Sequence, residues 1–117
     1  MTTNTTTQIT HDFQDGNGPV PAHQHSNGGG WVANTAHVVP TAYVGPDARV
    51  YGTARISDYA WVYGDARVFG TAEVSGNTWV SATAQVCGNA RVCGNARVCG
   101  DARVYGNARV ITGEVTT

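Results

Sequence analysis

The sequence predicts an all-β chain that coils through short strands, and three observations carry this prediction. Aliphatic residues occupy fourteen successive positions six residues apart, from Val32 to Val110, with Ile56 as the one isoleucine. A small residue, usually alanine, stands two positions before each of them. Glycine stands two positions after most of them and is commonly followed by Asn, Asp or Thr. Valine favours strands and the glycine pair favours tight turns, so each hexad predicts one strand and one corner.

The repeating unit Ala-Arg-Val-Tyr-Gly-Asn also predicts which side chains are buried. In a strand, alternate side chains point to opposite faces, so Ala and Val share the inner face while Arg and Tyr share the outer one. A helix is excluded, because a valine at every sixth residue would drift around its surface. A short strand followed by a two-residue corner, repeated without interruption, coils on itself. The Ala and Val columns are therefore the predicted core.

The hexad resembles that of left-handed parallel β-helices, in which three hexapeptide repeats make one triangular coil. The resemblance covers residues 30–111 and implies the handedness, which the period alone does not. Fourteen hexads then form between four and five coils.

The chain divides into three predicted segments. Residues 1–29 are polar, rich in Thr, Gly and His, and contain no hexad, so we expect an extended N-terminal arm or linker that a partner orders. Ile9 and Phe13 are its sizeable apolar anchors. Residues 30–111 form the β-helix. Residues 112–117 lose the register and are expected to cap the last coil, because repeat stacks need capped ends.

Coils of three hexads stack the residue before each core valine into three outward columns, which contain every arginine of the protein. Stacked like charges about 5 Å apart repel, so these arginines need partners. An aspartate stands two residues before three of them, which predicts the pairs Asp47–Arg49, Asp65–Arg67 and Asp101–Arg103.

The third outward column is aromatic. Tyr43, Trp61 and Trp79 lie in it, and Tyr63 lies beside Trp61, so the four side chains are expected to form a contiguous strip. Exposed aromatic strips on globular proteins mark contact surfaces. We expect this strip to be the subunit interface of a homotrimer, with a bound sugar or a larger protein surface as alternatives.

Three cysteines recur six residues apart, at Cys87, Cys93 and Cys99. Successive hexads lie on successive faces of a triangular coil, so the three thiols point away from one another. They cannot form a disulfide within the chain, which needs Cα atoms within about 7 Å, and they cannot share one tetrahedral metal. They are either small residues of near-duplicate repeats or candidates for intermolecular disulfides.

His23 and His25 form a His-x-His pair just before the first hexad. In a threefold assembly, such a pair would offer six imidazoles to one octahedral metal. They are weak candidates for a metal site. The alternative is a polar lead-in whose glycines let the chain turn into the first strand. No cofactor is predicted.

Catalysis is not expected. Acyltransferases that share this fold have a catalytic histidine and a loop extruded from the coil, and gamma-class carbonic anhydrases hold zinc on three histidines within the coils. This chain has fourteen uninterrupted hexads and no histidine between residues 38 and 117. We therefore predict no catalytic residue and a protein that is not an enzyme.

The bulk composition narrows the set of partners. The net charge is −1, which gives no long-range attraction to nucleic acid. No apolar run approaches the roughly 20 residues that span a bilayer, so no membrane partner is expected. The first residues lack the apolar segment of a signal peptide, so we expect synthesis in the cytoplasm of a host cell.

The segment "NGGGWVANTAHVVPTAYVGPDARVYGTARI" resembles hexapeptide-repeat proteins that phages and prophages encode. Some phage capsid decoration (cement) proteins are similar, being trimers of this fold with arms that reach over the capsid. The resemblance implies a non-enzymatic virion structural protein on the capsid surface, with itself and the major capsid protein or another virion protein as partners. The alternatives are a cellular hexapeptide-repeat scaffold or interaction module, and a trimeric protein that resembles a metal-binding spike or a hexapeptide-repeat enzyme.

Overall fold

The computed structural model describes residues 9–116, which form seventeen short strands. The first three are β1 (Thr10–Asp12), β2 (Pro19–Gln24) and β3 (Trp31–Ala33). Strands of two residues follow: β4 (His37–Val38), β5 (Tyr43–Val44), β6 (Arg49–Val50), β7 (Arg55–Ile56), β8 (Trp61–Val62), β9 (Arg67–Val68), β10 (Glu73–Val74), β11 (Trp79–Val80), β12 (Gln85–Val86), β13 (Arg91–Val92), β14 (Arg97–Val98), β15 (Arg103–Val104), β16 (Arg109–Val110) and β17 (Glu114–Val115). Within this part of the chain no helix has the length and apolarity needed to cross a membrane.

The strands from β3 onward form the three faces of a prism. Each pairs in parallel with the strand three places further along the chain, so β8 pairs with β11 and Trp61 lies opposite Trp79 in the next coil. Sheet 1 has the order β1-β2-β3-β6-β9-β12-β15, sheet 2 the order β4-β7-β10-β13-β16, and sheet 3 the order β5-β8-β11-β14-β17. The predicted all-β coil with 18-residue repeats is confirmed, and it contains about five coils.

The Ala and Val columns fill the interior as predicted. The valines from Val44 to Val98 at hexad positions are fully buried, and Ile56 is 1% exposed. Thr78 takes the place of an alanine and is also fully buried. Its hydroxyl oxygen has no hydrogen-bond partner within residues 9–116, which is an unfavourable arrangement for a polar group. The core consists of thin, nearly identical layers, each contributed by one coil.

Ten corners, from residue 52 to residue 106, place one residue each in the left-handed region of backbone space. Eight of these residues are glycines, with φ between 62° and 73°. Asp58 and Ala82 occupy the same position with φ of 58°. Side chains other than glycine are disfavoured there, so these two corners carry strain that the others do not.

The N-terminal residues fold onto the prism, which differs from the extended arm that the composition predicted. Strands β1 and β2 pair antiparallel, and β2 pairs antiparallel with β3, so the hairpin lengthens sheet 1 beyond the first coil. Phe13 is 1% exposed and Ala22 is 3% exposed, both packed against the chain's own first sheet. Residues 1–8, which belong to the predicted arm, lie outside the described residues. The predicted segment boundaries at 29 and 111 stay predictions.

The segment after β2 closes the N-terminal end of the prism beside sheet 3. The buried ring of His25 donates from Nε2 to the carbonyl oxygen of Ala42 at 2.8 Å, and the Asn27 side chain donates to the same oxygen at 3.1 Å. The backbone of Val44 donates to the Asn27 carbonyl at 3.0 Å and accepts from Gly30 at 2.9 Å. This segment therefore satisfies backbone groups that an open coil would leave unpaired.

The C-terminal residues continue the coil where a cap was expected. Strand β17 pairs in parallel with β14, with Glu114 opposite Arg97 and Val115 opposite Val98. The chain has one residue fewer between Arg97 and its strand partner Glu114 than between Trp79 and its strand partner Arg97. The hexad register of the C-terminal residues is therefore lost through the deletion of a single residue. Val110 and Val115 are only partly buried, because no further coil covers them in the described part of the chain.

Candidate interaction surface

Sheet 3 carries an exposed aromatic cluster, here called the ladder, formed by Tyr43, Trp61, Tyr63 and Trp79. Tyr43 stacks on Trp61 with ring centroids 4.6 Å apart, and Trp61 lies 6.4 Å from Trp79. Tyr63 presents its ring edge-on to both tryptophans, at 6.3 and 6.4 Å. The structure thus brings together all four residues that the sequence placed on one strip.

A cation continues the ladder towards the C-terminal end. The guanidinium carbon of Arg97 lies 4.7 Å from the centre of the Trp79 ring, a cation–π arrangement. Arg97 also lies 3.8 Å from the Glu114 carboxylate on β17. The column therefore runs from an aromatic ring at the first coil to an ion pair at the last. The backbone hydrogen bonds between coils hold these side chains in register.

The ladder remains accessible despite this stacking. Trp61 is 45% exposed and Trp79 is 41% exposed. Within the ladder Tyr43 and Trp61 are stacked, Trp61 and Trp79 are tilted by 39° to each other, and Tyr63 meets both tryptophans edge-on. Exposed aromatic rings in this arrangement offer apolar surface and indole N–H donors to a partner.

The other two faces carry six of the seven arginines. Within residues 9–116, ion pairs form between Arg91 and Glu73 and between Arg97 and Glu114, each at 3.8 Å. The pairs predicted from spacing, Asp47–Arg49, Asp65–Arg67 and Asp101–Arg103, are not among them. An aspartate two residues before an arginine lies at the corner that precedes the strand. A residue at the same position in the adjacent coil lies directly beside the arginine, as Glu73 lies beside Arg91.

A second aromatic column lies on sheet 1 and was not predicted. Phe13 stacks on Tyr51, and Tyr51 stacks on Phe69, with centroids 4.9 Å apart in both cases. Burial raises the pKa of the Tyr51 phenol, and Arg67 opposes this. The spacing of one coil between Tyr51 and Phe69 is the sequence feature from which this column could have been predicted. This column is largely buried under the hairpin, so it stabilises the N-terminal end and is not a free surface.

The hairpin adds a second stacked contact at its edge. The His11 ring lies parallel to the Trp31 indole, with centroids 4.6 Å apart and planes 9° apart. Burial lowers the pKa of His11, Arg49 lowers it further, and Asp12 opposes them. The neutral imidazole is therefore the form that fits this position.

The three cysteines follow β12, β13 and β14, which belong to sheets 1, 2 and 3. Cys87, Cys93 and Cys99 are free and partly buried. Burial raises the pKa of the Cys87 thiol, and Arg103 opposes this. Their placement on three faces agrees with the sequence analysis, and intermolecular disulfides stay a prediction.

The two candidate metal ligands lie in different surroundings. His23 is exposed, and its Nδ1 donates to the side-chain oxygen of Asn34 at 2.7 Å. His25 is 6% exposed, and its Nε2 already donates to a carbonyl oxygen. A nitrogen that donates a hydrogen bond has no lone pair for a metal. His25 thus acts as part of the N-terminal closure in this structure.

A comparison with models of known protein families identifies the type of repeat in part of the chain. A family model described as a YdcK beta solenoid repeat matches three overlapping segments, residues 84–102, 96–110 and 102–115. The chain is a β-solenoid repeat protein. The matched segments contain β12 to β17. No curated protein and no solved structure matches the chain.

Proposed function

We propose that this β-solenoid is a non-enzymatic structural protein that assembles into a homotrimer through the ladder. The observation that carries the proposal is the exposed stack of Tyr43, Trp61, Tyr63 and Trp79 on a rigid face. Large apolar side chains that project from a sheet bind with little loss of conformational freedom, because neighbouring strands already fix them. Burial of such rings supplies most of the free energy of typical interfaces.

The absence of extruded loops supports a structural role. From β4 to β16 the strands follow at constant six-residue intervals, so residues 37–110 offer only short corners between strands. Acyltransferases that resemble this fold carry a loop extruded from the coil, which these residues lack. A uniform prism suits a rigid spacer or clamp.

The most specific form of the proposal is a capsid decoration protein on the surface of a phage virion. In this form the trimer binds the major capsid protein or another virion protein and stabilises the assembled shell, as any ligand of a native state does. In this form Ile9, which is 60% exposed, contacts the partner. Phe13 takes no part, because it is buried in the chain's own sheet. Three linked contacts per trimer raise the apparent affinity through effective concentration.

Sedimentation velocity on a Trp61→Arg variant tests the assembly. We expect the wild-type protein to sediment as a trimer and the variant as a monomer, because three buried cations would replace three apolar rings. Tyr59→Arg is the matched control, since Tyr59 is 63% exposed at a corner outside the ladder. A wild-type monomer, or a variant that keeps the wild-type sedimentation coefficient, would refute the ladder interface.

Mass spectrometry of virus particles purified from the source organism tests the finer proposal. A decoration protein is present at a fixed ratio to the capsid protein and persists through density-gradient purification. Absence from purified particles, with the trimer intact in the cell extract, would instead support a cellular scaffold.

A further inference from the structure

A cleft of about 550 Å³ lies between the hairpin and the first corner of the prism, away from the ladder. Val20, Ala33 and Tyr51 contribute apolar surface to it. Ala33 and Tyr51 are buried and belong to the packed cluster that holds the hairpin on sheet 1. The cleft therefore has a firm apolar floor and a volume in the range of small-molecule sites.

The polar side chains on the cleft's border take part in two separate sets of hydrogen bonds. Asp15 accepts hydrogen bonds from the backbone of Asn17 at 3.0 Å and from its side-chain amide at 3.1 Å. Each carboxylate oxygen retains a further acceptor site. Asn34 accepts from His23 through Oδ1 at 2.7 Å, which orients its amide and leaves the NH₂ group as a donor. The border thus offers acceptors from the hairpin and a donor from the prism.

We infer that this cleft binds a small, neutral, polyhydroxylated ligand of the saccharide class. A sugar hydroxyl both donates and accepts, so it can satisfy Asp15 and Asn34 at once, while the C–H groups of the ring pack on Val20 and Pro21. Asp15 is the charged residue of the lining and disfavours anionic ligands. The site is independent of the proposed trimer, because the ladder lies on sheet 3 and the cleft on sheet 1.

Nuclear magnetic resonance on the full chain tests the site with D-glucose, D-galactose, D-mannose and N-acetyl-D-glucosamine at millimolar concentration. We expect saturation transfer to at least one sugar, together with saturable shifts of the Asn17 and Asn34 side-chain amides. Asn34→Asp keeps the oxygen that accepts from His23 but replaces the donor with a negative charge. We expect it to weaken binding about tenfold, because a ligand acceptor would then meet a carboxylate in place of a hydrogen-bond donor. Asn77→Asp, an exposed asparagine at another corner, is the matched control and should bind as the wild type does.

Three outcomes would overturn the inference. The first is no saturation transfer to any of the four sugars. The second is shifts confined to the ladder, which would place the binding on sheet 3. The third is equal affinity in Asn34→Asp and in the wild type. None of these outcomes affects the sedimentation result, so the cleft and the trimer can fail separately.

Discussion

A Cβ added to Gly64 would lie 2.9 Å from the backbone nitrogen of Ala82, its neighbour in the next coil. Both residues take left-handed φ angles, 65° for Gly64 and 58° for Ala82. Their corners are stacked so closely that the fold calls for glycine at both positions, and the sequence supplies it at only one. The corners are thus the places where single substitutions have the most predictable effect on stability.

Ala82→Gly is expected to stabilise the protein by about 0.5–1 kcal/mol. An alanine in the left-handed region costs roughly 1–2 kcal/mol, and the greater freedom of glycine in the unfolded chain offsets about half of that. Chemical denaturation measures the change. Ala84→Gly, at a buried core position two residues later, should destabilise the protein instead, because it removes a packed methyl group. A lower stability for Ala82→Gly would contradict the strain assigned to this corner.

Gly70→Ala and Gly106→Ala separate backbone strain from steric conflict. Both glycines have left-handed φ angles, 71° and 64°. A Cβ on Gly70 would lie 2.9 Å from the nitrogen of Gly88, whereas a Cβ on Gly106 would have nothing within 4 Å. We expect Gly106→Ala to cost about 1 kcal/mol from strain alone, and Gly70→Ala to cost clearly more. If thermal or chemical unfolding shows that both variants lose the same free energy of unfolding, a Cβ at Gly70 causes no steric conflict between coils.

Phe13→Ala is expected to release the hairpin while the prism stays folded. Phe13 is 1% exposed and stacks on Tyr51, and truncation of a buried phenylalanine costs about 3–5 kcal/mol. Hydrogen exchange should become faster at the Ala22 amide, which bonds to Ile9, and remain slow at the Trp61 amide in the prism. Ile9→Ala, at an exposed position, should leave both unchanged. Uniform acceleration across the chain would mean that hairpin and prism unfold together.

Acidification is expected to weaken the docking of the same hairpin through His11. Its pKa is lowered in the folded protein by burial and by Arg49, although Asp12 opposes them. The unfolded chain therefore binds more protons than the folded chain as pH falls through the ordinary histidine value of about 6.5, and the stability of the folded form decreases. Hydrogen exchange at Ala22, corrected for intrinsic rates, should accelerate relative to the prism between pH 7 and pH 5. His11→Asn should remove this pH dependence, and its persistence would assign the effect to another group.

The repeat could be predicted from the sequence because its signal recurs in each hexad. Val62 and Val80 are buried for the same local reason, and Val38 and Val110 are the two of the fourteen hexad positions that are only partly buried. The ladder followed from this register, since a step of three hexads places Trp61 beside Trp79. Its role in assembly depends on a partner, so it stays a proposal.

The N-terminal hairpin was missed because its signals are local and occur once. The turn between β1 and β2 contains "DGNG", a sequence that favours hairpins, but the overall polarity of residues 1–29 suggested a linker. The decisive contact, Phe13 on Tyr51, joins a segment without hexads to a column that alternation assigned to solvent. The ion pairs were misassigned for a related reason, since spacing along the chain is a poor guide to distance between coils.

The constant pairing of each strand with its counterpart in the next coil gives the molecule a cross-section that does not depend on its length. Each coil adds about 4.8 Å along the axis, the usual strand separation. Insertion or deletion of one whole coil within the uniform region 84–110 would change the height in that increment and leave the N-terminal closure and the last strand intact. Gene duplication of a unit of three hexads can therefore adjust the separation between whatever the two ends contact, in fixed steps and without a new core.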